Sequence, residues 1–243
     1  MKGKIFSFIL FICLAVSCAP PKKVYRIGID PSFYPLELGD KQGNVYAFTM
    51  ELLRKVGLSE NIAMESVAES WDNLLLGLNK GKYDAIISSM FETQENKEEF
   101  IFSTTLLHTG PVLVVRSDEK VGGISTLDDK FIAVKSVRQE VLVIDNNPSA
   151  IVSYYTSVPR VLQDLISNSI DAALIDRLFA ATFIKNSFDN KLKIASAPLS
   201  SEGLRVVTKK EGVKNLVKTI NQGIDRLYQS EEYENLLNKW DLN

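Results

Sequence analysis

Two short segments carry the residue types that could hold a small polar molecule. The first, "YDAIISS" (83–89), runs an apolar stretch into two adjacent hydroxyls, Ser88 and Ser89. The second, "IDAALID" (170–176), ends in the carboxylate of Asp176. A hydroxyl both donates and accepts hydrogen bonds, whereas an ionised carboxylate only accepts. Facing one another, the two would suit a small molecule with polar ends of opposite character. A plainer reading pairs Asp176 with its neighbour Arg177 on the surface. Covalent and metal chemistry find little support. One histidine (His108) and two cysteines offer no His/Cys metal cluster. There is no nucleophile elbow and no phosphate loop. Acid–base work by Asp30 or Asp176 would need strongly shifted pKa values.

The elements around these residues echo each other. "LLLGLNKGKYDAIISS" (74–89) superposes on "VLQDLISNSIDAALID" (161–176), matching Leu75 with Leu162, Leu78 with Leu165 and Asp84-Ala85 with Asp171-Ala172. Gly81 falls on Asn168, and both types tolerate the left-handed conformation that closes a helix. Each segment reads as helix, cap and buried strand. Any αβ unit has that form. The alternative is two similar lobes that each bring a strand end to one cleft, the place where open α/β sheets bind ligands. Further strands are expected at "VYRIGI", "IAMESV", "PVLVV", "FIAV", "LKIAS" and "LRVVT", and a helix at "FTMELLRKV". Helical spacing also joins Val213, Leu216, Val217, Ile220, Ile224 and Leu227, and then Tyr233, Leu236, Leu237 and Trp240. This alternation predicts an α/β fold with largely parallel sheets.

A hydrophobic content of 45% supplies a core, and a net charge of −2 gives no excess for steering toward nucleic acid. At the amino end, Lys2 and Lys4 precede an apolar run from Ile5 to Val16, shorter than the roughly 20 residues a bilayer span needs. Residues 1–17 therefore read as a secretory signal, with a permanent membrane anchor as the alternative. "LAVSC" resembles a bacterial lipoprotein processing box, although Leu14 stands four residues before the cysteine instead of three. Lipidation at Cys18 would leave no free thiol in the exported chain. "APPKK" after it, completing 18–23, reads as a stiff polar tether.

The chain from about Val24 onward resembles the extracytoplasmic solute-binding proteins of amino-acid ABC importers. The segments that carry the likeness are "RIGIDPSFYPLE", "AFTMELL", "WDNLLLGLNKGKYDAIISSM", "FIFSTTLL", "SIDAALID" and "LYQSEEYENLLNKWDLN". The resemblance implies a two-lobed periplasmic-binding-protein type II fold. Lobe one would be 24–109 plus 204–243 and lobe two 110–203, with hinge crossings near Gly110 and Gly203. His108 falls at the first crossing. By the same likeness Asp30 and Phe33 belong to the opening loop and Trp71 is a stacking aromatic, with a turn cap before Pro31 for Asp30 and core packing for Phe33 and Trp71 as the alternatives, and Ser88 and Ser89 are the hydroxyl pair. Asp176 takes the α-ammonium. The expected partners are a small solute, a permease with its ATPase, and a membrane through the lipid anchor, with no cofactor or metal.

The chain departs from the pattern where the family places an arginine for the solute's α-carboxylate. Here "MFETQEN" puts Asn96 there, and Phe91 replaces a small hydroxyl residue. Asn96 keeps an amide donor but lacks the charged fork of a guanidinium. Lys97 is turned about 100° away along a helix. Arg138, in "FIAVKSVRQE", stands where the family has a cleft-facing threonine and is the candidate replacement; the alternative leaves it a solvated helix residue. Two other functions fit the same fold: a surface interaction protein that has lost solute binding, and a dehydratase-like enzyme acting on small cyclic acids.

Overall fold

The computed structural model describes residues 23–34, 36, 38–188 and 191–243; the expected signal and Cys18 lie outside them. The first part of the chain runs β1 (Val24–Ile29), α1 (Gln42–Ser59), β2 (Ala63–Ala68), α2 (Trp71–Asn79), β3 (Ala85–Ser88), α3 (Gln94–Glu99), β4 (Phe100–Phe102) and β5 (Leu107–His108). It continues as β6 (Pro111–Arg116), β7 (Phe131–Val134), α4 (Val137–Asn146), β8 (Ile151–Tyr154), α5 (Val158–Ile166), β9 (Ala172–Asp176), α6 (Arg177–Ser187) and β10 (Leu192–Ile194). It then returns through β11 (Gly203–Lys209), α7 (Lys214–Tyr228) and α8 (Glu232–Lys239).

The strands form two sheets with the same plan. One has the order β2-β1-β3-β11-β4, with β5 alongside β11, and the other β10-β6-β9-β7-β8. Read from its β8 edge, the second repeats the first pair by pair. β1·β2 and β1·β3 are parallel, as are β7·β8 and β7·β9. β3·β11 and β11·β4 are antiparallel, as are β9·β6 and β6·β10. β3 and β9, the two echoed strands, hold equivalent central places. The sheets are therefore mixed, where the sequence suggested largely parallel ones. The reason is that β6 and β11 each arrive from the other lobe, so no βαβ crossover fixes their direction.

The echo is physical at the caps as well. Gly81 (φ +70°) and Asn168 (φ +60°) both take the left-handed conformation between helix and strand. The helices differ in one respect. Leu162 is fully buried, but Leu75 is turned outward, because α2 buries Leu74, Gly77 and Leu78 instead. Gly77 permits this: a Cβ there would lie 2.0 Å from the Tyr83 hydroxyl oxygen.

Each sheet is covered on both faces. In lobe one, Phe48, Leu52 and Val56 of α1 pack with Leu216, Ile220 and Ile224 of α7 over one face. Leu74, Leu78, Tyr83, Phe100 and Val207 fill the other. Lobe two buries Val161, Leu162 and Leu165 on one side and Ile132, Val134 and Val143 on the other. Burial of each such aliphatic side chain contributes about 1.5–3 kcal/mol.

The two crossings run side by side. Thr109 N–H donates to Glu202 O at 3.0 Å, and β5 pairs with β11 through Gly203 opposite His108. The approach is so close that a Cβ on Gly203 would fall 2.2 Å from Leu107 O. Tyr228 and Tyr233 clamp the approach to the crossing, their hydroxyls donating to Thr105 O at 2.6 Å and Leu106 O at 3.1 Å. Away from the crossings, Leu178 of α6 is buried in the lobe-one cluster that holds Phe33 and Leu38.

Candidate functional site

β3 delivers its two hydroxyls to different tasks. Ser88 is buried, and its Oγ accepts from Met90 N at 3.0 Å, which turns the chain at the strand end. Ser89 Oγ is buried and has no hydrogen-bond partner, the one such side-chain atom among the described residues. Leaving a buried polar atom unpaired costs about 1–3 kcal/mol, so native exceptions tend to mark a functional place. Ser89 lines a cavity of ≈ 360 Å³ together with Phe91, Glu92, Arg138, Glu202 and Arg205. Its walls come from the β3 end, the α4 start and the return crossing. Another hollow of ≈ 360 Å³ lies at the β2 edge, where Met50, Leu53, Leu58 and Met64 give it a largely aliphatic wall away from the strand ends.

The charged groups of the cleft are arranged in pairs. Arg138, in the first turn of α4, stacks its guanidinium 3.8 Å from the centre of the Phe91 ring. Its Nη1 also lies 3.1 Å from Glu202 Oε1. It thus joins lobe two to lobe one and to the crossing, while its side chain remains 51% exposed. Asn96 does not reach the cavity: its Nδ2 donates to Phe91 O at 2.8 Å and its N–H to Thr93 Oγ1 at 3.1 Å. The residue at the family's arginine position therefore holds a loop in shape. Lys97 turns to Glu92, 3.2 Å away.

Asp176 ends β9 directly opposite Pro111 at the first crossing. Gln139, buried in α4, donates from Nε2 to Asp176 Oδ1 at 3.3 Å and accepts from Lys135 N at 2.7 Å. The amide thereby fixes the carboxylate against the α4 start. Burial pushes the Glu202 carboxyl up, and the nearby Asp176 charge adds to the rise while Arg138 opposes it. Burial first, and then the charges of Arg205 and Arg177, hold the His108 imidazole below its ordinary range.

The opening loop departs from expectation. Phe33 does not face the cleft. It takes a left-handed backbone (φ +54°), is 3% exposed, and packs near Tyr46 with ring centres 6.4 Å apart. Its neighbour Tyr34 points outward instead, 59% exposed, and meets Trp71 edge-on at 5.8 Å. Asp30 is buried in its own turn: Oδ1 accepts from Ser32 N and from Ser32 Oγ, both at 2.8 Å. That satisfies the backbone around Pro31 and makes Asp30 a turn residue here.

Of the candidate residues, Ser89, Phe91 and Arg138 meet at the cavity, while Asp176 is held at the neighbouring α4 start by Gln139. Sequence reasoning missed Tyr34, Glu202 and Arg205. Arg205 left a signal, a lone charge within the apolar strand "LRVV". Tyr34 and Glu202 left none, since each depends on the backbone path of a loop.

Comparison with known proteins agrees with this architecture. The probable histidine-binding protein of Neisseria gonorrhoeae is 26% identical, the match covering 93% of this chain and 86% of that one. The L-cystine-binding protein TcyJ of Escherichia coli K12 is 25% identical over 88% of this chain and 81% of its own. Among solved structures, the unliganded open L-cystine solute receptor of Neisseria gonorrhoeae superposes with a TM-score of 0.71 at 22% identity, covering 90% of this chain and 93% of that one. It shares the two-lobed type II fold. The family described as bacterial extracellular solute-binding proteins, family 3, whose members are binding proteins and not enzymes, matches residues 25–243. The chain belongs to that family.

Proposed function

We propose that the chain captures a free amino acid or a closely related zwitterion between its lobes and delivers it to an ABC permease with its ATPase. The observation that carries the reading is Ser89, which lines a cavity walled by the end of β3, the start of α4 and the return crossing and whose buried Oγ has no hydrogen-bond partner. The relatives named for histidine and cystine support an amino-acid solute. Lobe one comprises 24–109 plus 204–243 and lobe two 110–203. Asp176 accepts the α-ammonium, with Gln139 holding its carboxylate. Tyr34 and Trp71 provide an aromatic wall for the side chain, and Arg138 locks the lobes across Phe91 and Glu202. Closure about the paired crossings buries the solute and forms the surface a permease reads. Cys18 carries a lipid anchor on the exported protein.

A thermal-shift screen tests the reading after unfolding and refolding to strip carried-over ligand. A solute at 100 times its Kd adds about 2.7 kcal/mol, which for a chain of this size is roughly 5–10 °C. The expected result is such a shift with at least one standard amino acid or cystine, lost in Asp176→Asn. No shift across that panel would overturn the reading in favour of an interaction protein. For the anchor, full-length Cys18→Ser should leave the membrane fraction for the soluble one; unchanged fractionation would contradict lipidation.

A further inference from the structure

Asn96 supplies no cation, yet the fold brings a buried one to the cavity from elsewhere in the chain. β11 returns from lobe two antiparallel to β3, and its register sets Arg205 directly opposite Ser88. Side chains opposite one another on paired strands have Cβ atoms about 4.5–5.5 Å apart. Arg205 therefore sits beside the hydroxyl pair although it is distant in sequence, and it lines the same cavity as Ser89. Its side chain is 6% exposed.

A guanidinium this buried needs anionic company, because an unpaired charge in the interior is costly. What it has is incomplete. Nη2 donates to Ser201 O at 2.7 Å, a neutral acceptor. The nearest carboxylate, Glu92, lies at 3.8 Å, beyond hydrogen-bond length, and its other oxygen is 3.2 Å from Lys97. Arg138 is the opposite case, half exposed, stacked on Phe91 and paired with Glu202 at 3.1 Å. Of the two arginines on this cavity, Arg205 holds the less satisfied charge, and Ser89, whose buried Oγ is unpartnered, lines the same cavity.

Resting on the amino-acid reading above, we infer that Arg205 and Ser89 together receive the solute's carboxylate, Arg205 through its guanidinium fork and Ser89 through its hydroxyl. The anion-binding charge has moved from the loop after β3 to the neighbouring strand β11. Arg138 acts as the clamp between lobes. A planar guanidinium accepts a carboxylate in two parallel charge-assisted bonds, which a lysine cannot reproduce. The site therefore selects solutes with a free carboxylate and rejects the same molecules when that group is an amide.

The test compares the free acid with its carboxamide, using whichever standard amino acid or cystine binds most tightly, in wild type, Arg205→Met, Arg205→Lys and Arg138→Gln. Wild type should prefer the acid by at least about 30-fold, or ~2 kcal/mol at 1.4 kcal/mol per decade. Arg205→Met should bring that preference below about threefold, and Arg205→Lys should leave it between the two. Arg138→Gln should keep the wild-type preference even where overall affinity falls. Should Arg205→Met fail to fold, Arg205→Lys decides: an undiminished 30-fold preference would overturn the inference. So would a preference that survives Arg205→Met or collapses in Arg138→Gln. Wild type that binds an amino acid with no acid preference overturns the inference and leaves the function standing. Wild type that binds none overturns both.

Discussion

Replacing Ser89 with alanine should move stability and affinity in opposite directions. In the unliganded protein Ser89 Oγ is buried without a hydrogen-bond partner, and relief of that condition is worth about 1 kcal/mol at the low end of the usual range. For a chain of this size that raises Tm by about 2–4 °C. The same hydroxyl donates to the solute's carboxylate, and a hydrogen bond to a charged group contributes about 1.5–3 kcal/mol, so Kd should weaken by about tenfold or more. At a solute concentration of 100 times the wild-type Kd, ligand stabilisation would fall from about 2.7 kcal/mol to about 1.4 kcal/mol for a tenfold weaker variant. At tenfold the gain and the loss nearly cancel, so the loaded variant should melt within about 2 °C of loaded wild type, and further below it where the loss of affinity is larger. Differential scanning calorimetry with and without solute reads both quantities. A variant less stable than wild type when empty, or one with unchanged affinity, would refute the argument that this hydroxyl is kept for a ligand.

Three further outcomes follow from the geometry. Gly203→Ala drives a Cβ against Leu107 O and Thr105 Cγ2, at 2.2 and 2.7 Å, so urea denaturation should show a loss of about 1–3 kcal/mol; a neutral result would mean the paired crossing is not tight. The Asp241 carboxyl is held down to about 2 by hydrogen bonds from Lys185, at 2.5 Å, and from Lys41. Because its folded pKa lies below the ordinary 3.8, the stability it contributes is present above about pH 4 and is lost as pH falls toward 2. Asp241→Asn should flatten the urea midpoint against pH across that window, and an unchanged slope would contradict the pairing. Asp176→Asn should cost at least about tenfold in affinity for the amino acid but little for its deaminated analogue; equal losses would deny that Asp176 meets the ammonium.

Much of the architecture was legible because it rests on local signals. Gly81 and Asn168 marked the same left-handed turn in both lobes, and the apolar runs before Ser88 and Asp176 marked equivalent central strands. β4, β5 and β8 were not foreseen: they are short, and pairing with a neighbour defines them more than any periodicity of their own. The opening loop misled because neighbours exchange faces when Phe33 adopts a positive φ, which buries its ring and exposes Tyr34. The missing charge at Asn96 could be read from the sequence, but the buried guanidinium that the fold sets beside Ser88 could not. That Arg205 stands beside Ser88 is a fact of antiparallel register between strands that enter the sheet from different lobes.

Calorimetric titration of the refolded, ligand-stripped protein decides whether the cleft takes one free amino acid per chain. The titrant is whichever standard amino acid or cystine shifts Tm most. A saturable isotherm with one site per chain is expected, abolished or strongly weakened by Asp176→Asn. A flat trace for that titrant, or binding that ignores Asp176, would contradict it.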